Sequence, residues 1–170
     1  MGRITPRGAW RAGCVLVCML CTGCASPRGP QFGPDLLEIE ASFAQGAATQ
    51  VWSIHVRSFA DASGGELRFE AFLDGSRAEL RGAVLLDRQR MATLNAVLDR
   101  QRFGELPTSL GPTFSVPHQP SFILKACRAR RCHEVRVDDP GSENASPEVQ
   151  RFLAVWQVLT DPLPLRPVWP

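Results

Sequence analysis

The sequence predicts an α+β domain: an antiparallel β-sheet of about five strands in the order βββ-α-ββ-α, with two helices packed on one face. Three observations predict it. Apolar and polar residues alternate in 51–58 and 66–73, as in strands with one buried face. Two later segments, 87–102 and 146–161, space their apolar residues as the buried stripe of a helix does. Clusters of Asp, Gly and Ser separate the strands.

The first three strands are predicted at 51–58, 66–73 and 78–84. In the first of them Trp52, Ile54 and Val56 occupy every second position, which predicts a buried face. Turn-forming residues at 61–65 and at Asp74-Gly75 join the three strands as hairpins.

Both predicted helices carry boundary signals. Asp87 is an N-cap residue, and its helix ends near Arg102 because Gly104 follows. Ser146 is the N-cap of the second helix, which Asp161-Pro162 ends. Four prolines in 105–120 predict a long irregular loop between the first helix and the next strand.

A hairpin is predicted over 121–137. If 128–131 is a four-residue loop, Cys127 faces Cys132 and Lys125 faces Glu134. The same register pairs Phe122, Leu124 and Ala126 with Val137, Val135 and His133 on the other face. Because one assumption yields an ion pair, an apolar face and two facing cysteines, we predict a Cys127–Cys132 disulfide, worth roughly 2 kcal/mol for so short a loop.

Composition and charge favour one globular domain behind a targeting segment. The chain has 170 residues, 44% of them hydrophobic and 21% charged. Arg3, Arg7 and Arg11 precede an uncharged stretch over 12–25, the pattern of a secretory signal. Without these three arginines the chain has 16 basic and 17 acidic residues, which gives no reason to expect a nucleic-acid partner.

At the end of the uncharged stretch stands Leu20-Cys21-Thr22-Gly23-Cys24. It resembles the lipobox of bacterial lipoproteins, with small residues before the cysteine, although Cys21 stands where an aliphatic residue is usual. The resemblance implies that Cys24 is acylated and becomes the N-terminus of an envelope protein. Ala25 then favours the outer membrane if the host is Gram-negative. Cleaved soluble export and an uncleaved anchor are the alternatives.

These observations divide the chain into four parts: a signal peptide at 1–23, a lipidated N-terminus with a Pro/Gly-rich tether at 24–48, one α+β domain at 49–161, and a Pro-rich tail at 162–170.

The candidate sites are few. Cys127, Cys132 and His133 suggest a metal site, but neighbouring strand residues point to opposite faces, so the disulfide is preferred and neither metal nor cofactor is expected. The positively charged Arg128, Arg130 and Arg131 at the hairpin tip are candidate contacts for an anionic ligand.

The sequence thus predicts a membrane-anchored envelope protein with a non-enzymatic binding or accessory role. Its expected partner is an envelope protein, a cell-wall polymer or an anionic lipid. One alternative is an envelope hydrolase with a site in the 105–120 loop and His118 as its base. The other is a structural accessory subunit of an envelope complex, marked by an exposed apolar patch.

Overall fold

A computed structural model of the chain describes residues 36–45, 50–73, 78–111, 119–140 and 146–165. The described residues form seven strands and two α-helices, joined after the first helix by a 3-10 turn. In chain order they are β1 (Leu37–Ala44), β2 (Gln50–Ser58), β3 (Gly64–Leu73), β4 (Ala78–Asp87), α1 (Arg88–Arg100), the 3-10 turn (Phe103–Glu105), β5 (Ser109–Leu110), β6 (Ser121–Arg128), β7 (Arg131–Asp138) and α2 (Pro147–Thr160).

All seven strands lie in one sheet, in the spatial order β4-β3-β2-β1-β6-β7-β5. Neighbouring strands are antiparallel except β5, which pairs with β7 in parallel. The prediction of about five antiparallel strands in βββ-α-ββ-α order is therefore wrong: the sheet is mixed and the order is ββββ-α-βββ-α.

The strand β1 accounts for most of this difference. It lies within the segment 24–48, which we expected to be a tether, yet it is the central strand and pairs with both β2 and β6. Its inward residues are almost completely buried: Leu37, Ile39, Ala41 and Phe43. Their alternation with polar residues was visible in the sequence, but it follows directly on the Pro/Gly-rich run 26–34. The strand β5 has only two residues, too few for any alternation.

The core fills the space between one face of the sheet and both helices. On α1, Met91 lies against Gly65 of β3, where an added Cβ would come within 2.8 Å of the methionine sulfur. On α2, the Trp156 ring lies 4.9 Å from that of Phe122, which itself lies 4.7 Å from Phe43. Since Gly65, Phe122 and Phe43 point to the same side of the sheet, the two helices cover one face, and no described element covers the other.

Both predicted helix caps are confirmed. The Asp87 carboxylate accepts a hydrogen bond from the Arg90 amide at 2.7 Å. The Ser146 hydroxyl accepts one from the Val149 amide at 3.3 Å. These bonds satisfy amide donors that a helix N-terminus otherwise leaves unpaired.

The predicted register of the β6–β7 hairpin is also confirmed, including Cys127 opposite Cys132 and Lys125 opposite Glu134. The four-residue loop is wrong, because the ladder continues to Arg128 opposite Arg131 and leaves a two-residue turn. Ala129 and Arg130 form that turn with φ of 46° and 68°, as a type I′ hairpin turn requires.

Candidate functional site

The outward side chains of β1, β2, β3, β4, β6 and β7 form a surface that no other described element covers, which we call the open face. Near its centre lies a shallow hollow of about 400 Å³, lined mainly by polar residues such as Ser42, Ser53 and His55. Two exposed apolar side chains, Val51 and Phe72, lie opposite each other on β2 and β3. The open face is thus largely polar and carries a small apolar patch.

Two polar pairs on the open face link neighbouring strands. His55 Nε2 lies 3.1 Å from a Glu38 carboxylate oxygen, and Lys125 Nζ lies 3.0 Å from one of Glu40. The hydrogen bond to Glu40 raises the pKa of Lys125, and the charges of Glu40 and Glu134 add to that effect. Lys125 therefore stays protonated at neutral pH and is unsuited to act as a base.

The three arginines predicted as one contact site have different surroundings. Arg128 lies on the helix side of the sheet, where its guanidinium forms an ion pair with Asp99 and donates a hydrogen bond to the Asn95 carbonyl at 2.8 Å. Because it fastens the hairpin to α1, Arg128 has a structural role and its charge is neutralised.

Arg130 and Arg131 are exposed, and among the described residues neither has an ion-pair partner. Arg130 borders a cavity of about 160 Å³ together with Leu36 and Leu37. Arg131 borders a separate depression beside His133. Of the predicted trio, these two are the cations that a ligand can reach.

The sulfur atoms of Cys127 and Cys132 lie 2.08 Å apart, at bonding distance, with their Cα atoms 4.0 Å apart. His133 points to the opposite face, where its Nε2 hydrogen-bonds to the Leu106 carbonyl at 2.8 Å. Cys127, Cys132 and His133 therefore do not converge. In the described ranges, no group of three or more His, Cys, Asp or Glu side chains is arranged to hold a metal ion.

The 105–120 loop is only partly described, and His118 lies outside the described residues. Its two flanks are fastened beside β7. The Thr108 carbonyl accepts a hydrogen bond from the Arg136 amide at 2.9 Å, and the Gln119 amide donates to Asp139 at 2.9 Å. The described flanks of the loop thus lie along the β7 side of the sheet.

A cavity of about 620 Å³ lies between α1 and α2. Its polar lining serves the fold: Asp87 caps α1, the Thr93 hydroxyl donates to the Gln89 carbonyl at 2.9 Å, and Arg90 pairs with Asp161 at 3.1 Å. None of these groups is an activated nucleophile beside a base.

No protein-family model matches this sequence, and no curated protein matches it either. Among the described residues, no helix is both long enough and apolar enough to span a bilayer.

Sequence reasoning missed one spatial relation that concerns the site. The start of β1 lies beside the hairpin tip, since Leu37 is opposite Arg128. The alternation of 37–44 could have revealed the strand, but its antiparallel pairing with β6 was not visible in the sequence.

Proposed function

We propose that this protein is an exported envelope lipoprotein, anchored through Cys24, whose folded body is a non-enzymatic binding or accessory domain. The signal-like segment at 1–23 and the lipobox-like residues before Cys24 support export and anchoring. The two sulfurs at bonding distance agree with an oxidising compartment. Between Cys24 and Leu37, the first residue of β1, the chain has twelve residues, which suffices for a short tether.

The observation that carries the binding role is the open face. Six strands about 4.8 Å apart and eight residues at about 3.4 Å each give a surface of roughly 29 by 27 Å, or about 780 Å². A stable complex buries about 800 Å² on each partner. One open face therefore offers the area that a single protein partner needs.

The apolar pair on the open face favours a protein partner. Val51 and Phe72 are 38% and 45% exposed although they lie side by side on adjacent strands. Burying such a pair in a protein interface is favourable, because about 25 cal/mol is gained for each Å² of apolar surface removed from water. The accessory-subunit alternative agrees with the same observation, since it is also a protein complex.

The anchor is tested by the intact mass of the protein from the membrane fraction of a bacterial host. We expect a chain that begins at Cys24, carries acyl chains and gains two hydrogens on reduction. An unacylated chain would overturn the anchor.

Binding through the open face is tested in the same cells by placing a photo-crosslinking residue at Ser53, at the centre of the face. The matched position is Gln157, exposed on α2. We expect one adduct of defined mass from Ser53, none from Gln157, and loss of the Ser53 adduct when Phe72→Glu is added. Equal adducts from both positions, or an adduct insensitive to Phe72→Glu, would refute binding through this face.

A further inference from the structure

The strand register places several segments at one end of the sheet. Leu37 at the start of β1 lies opposite Arg128, the last residue of β6, and its amide donates a hydrogen bond to the hydroxyl of Ser58 at the end of β2. We call this end, with the 129–130 turn and the 59–63 loop, the anchor end. The chain that leads back to Cys24 therefore leaves the sheet beside the hairpin tip.

The helix α1 lies across the same end. It begins after Asp87, which is opposite Gly64 at the start of β3. Its last turn reaches the hairpin, where Asp99 pairs with Arg128. The next residue, Arg100, is exposed and therefore adds a cation to the anchor end.

Several arginines of the anchor end are not engaged by ion pairs within the fold. In the part of the chain that the structure describes, Arg100, Arg130 and Arg131 have no ion-pair partner. Of the acids at this end, Asp99 pairs with Arg128. Among the described residues, Glu38 has only the hydrogen bond to His55, and Asp61 in the 59–63 loop is exposed and accepts hydrogen bonds from Ser63.

The turn itself does not explain Arg130. Its φ of 68° lies in the left-handed region, where glycine or asparagine is more stable than arginine. An arginine at this position therefore lowers the stability of the fold relative to glycine, and what it supplies in return is a positive charge. Phe59, 40% exposed in the 59–63 loop, adds an apolar side chain to the same end.

The tether determines which membrane these groups can meet. The thirteen Cα-to-Cα steps from Cys24 to Leu37 span at most about 45 Å, so the anchor end stays within that distance of the acylated cysteine. Attraction between the arginines and anionic lipid acts over about 8 Å at physiological salt. A tether this short lets the anchor end enter that range.

We propose that the anchor end docks on the anionic phospholipid headgroups of the membrane that carries the Cys24 anchor, with Arg130 and Arg131 as the main contacts. This inference rests on the proposed anchor. Each arginine contributes about fivefold to the docked population, which corresponds to about 1 kcal/mol. Docking by this end sets the strands upright on the membrane and leaves the open face accessible from the side.

Neutron reflectometry of the full processed protein tests the proposal. The protein is purified from the membrane fraction, its acylation is checked by mass, and it is reconstituted in supported bilayers of phosphatidylcholine with or without 30% phosphatidylglycerol. The variant is Arg130→Gln/Arg131→Gln. The matched control is Arg68→Gln/Arg81→Gln, which removes the same charge from the open face.

On the anionic bilayer we expect the wild type and the control to lie against the headgroups without an intervening water layer. The tip variant, with a roughly 30-fold smaller docked population, should stand off behind a hydrated gap, as the wild type does on pure phosphatidylcholine. An acylated wild type that stands off from the anionic bilayer, or a tip variant that lies as close as the wild type, overturns docking and leaves the anchor intact. An unacylated chain overturns the anchor and the docking together.

Discussion

Removing the disulfide by Cys127→Ala/Cys132→Ala should lower the free energy of unfolding by a modest amount. The cysteines are five positions apart, so the bond closes a loop of about six residues. On the chain-entropy relation such a loop contributes about 2 kcal/mol at 25 °C. A cavity should add little, because Cys132 is exposed. For a body of this size the loss corresponds to roughly 8 °C in Tm.

The assay is equilibrium unfolding of the purified protein in urea, with and without a reductant. The reduced wild type and the double variant should have the same midpoint, and the reductant should not change the variant. A wild type that is insensitive to reduction would show that the two sulfurs are not bonded. A loss well above 4 kcal/mol would refute the loop argument, since it would mean that the bond supports more than its own hairpin.

Three further predictions concern single positions. Arg130→Gly should raise the free energy of unfolding by about 1 kcal/mol, because a left-handed φ costs a non-glycine residue that much; thermal unfolding measures it, and a lower Tm would contradict it. Gly82→Ala should lower stability by about 1–3 kcal/mol, since its Cβ would lie 2.6 Å from the Phe69 ring. Phe69→Leu should then lower the free energy of unfolding less in the Gly82→Ala background than in the wild type. If the effects of the two substitutions, measured by urea unfolding, simply add, the proposed clash is contradicted. Hydrogen bonds from its own amide and from the Ser146 hydroxyl lower the pKa of Glu148 below its usual value of 4.5. The ionised Glu148 therefore stabilises the folded state fully above about pH 5, and this contribution is lost as the pH falls through the folded-state pKa. Glu148→Gln should therefore make the free energy of unfolding less dependent on pH in that acid range. A pH dependence equal to that of the wild type would contradict this prediction.

Local signals predicted several parts of the fold correctly. Alternation in β2 and β3 and the caps Asp87 and Ser146 depend only on neighbouring residues, so they could be seen without a structure. The hairpin register was predictable for the same reason, because Cys127 and Cys132 are close in sequence. The turn was predicted two residues too long, since nothing in its sequence favours a left-handed φ.

The candidate site was predictable only in part. Three arginines within four residues indicated a basic tip, and two of them, Arg130 and Arg131, are exposed. That Arg128 is engaged depends on Asp99, 29 residues earlier in the chain, so its neutralisation could not be predicted from local sequence.

By itself the sequence determined the local elements of this protein, and it carries the signal-like pattern on which the proposed export rests. The tertiary structure decided how those elements meet. β1 joins the two halves of the sheet, and its pairing with β6 brings Leu37 beside Arg128 from a distance of about ninety residues. The physical reason is that the alternation of apolar and polar residues identifies the buried face of a strand. The identity of the neighbouring strand depends on residues far away in the chain, which no local pattern encodes.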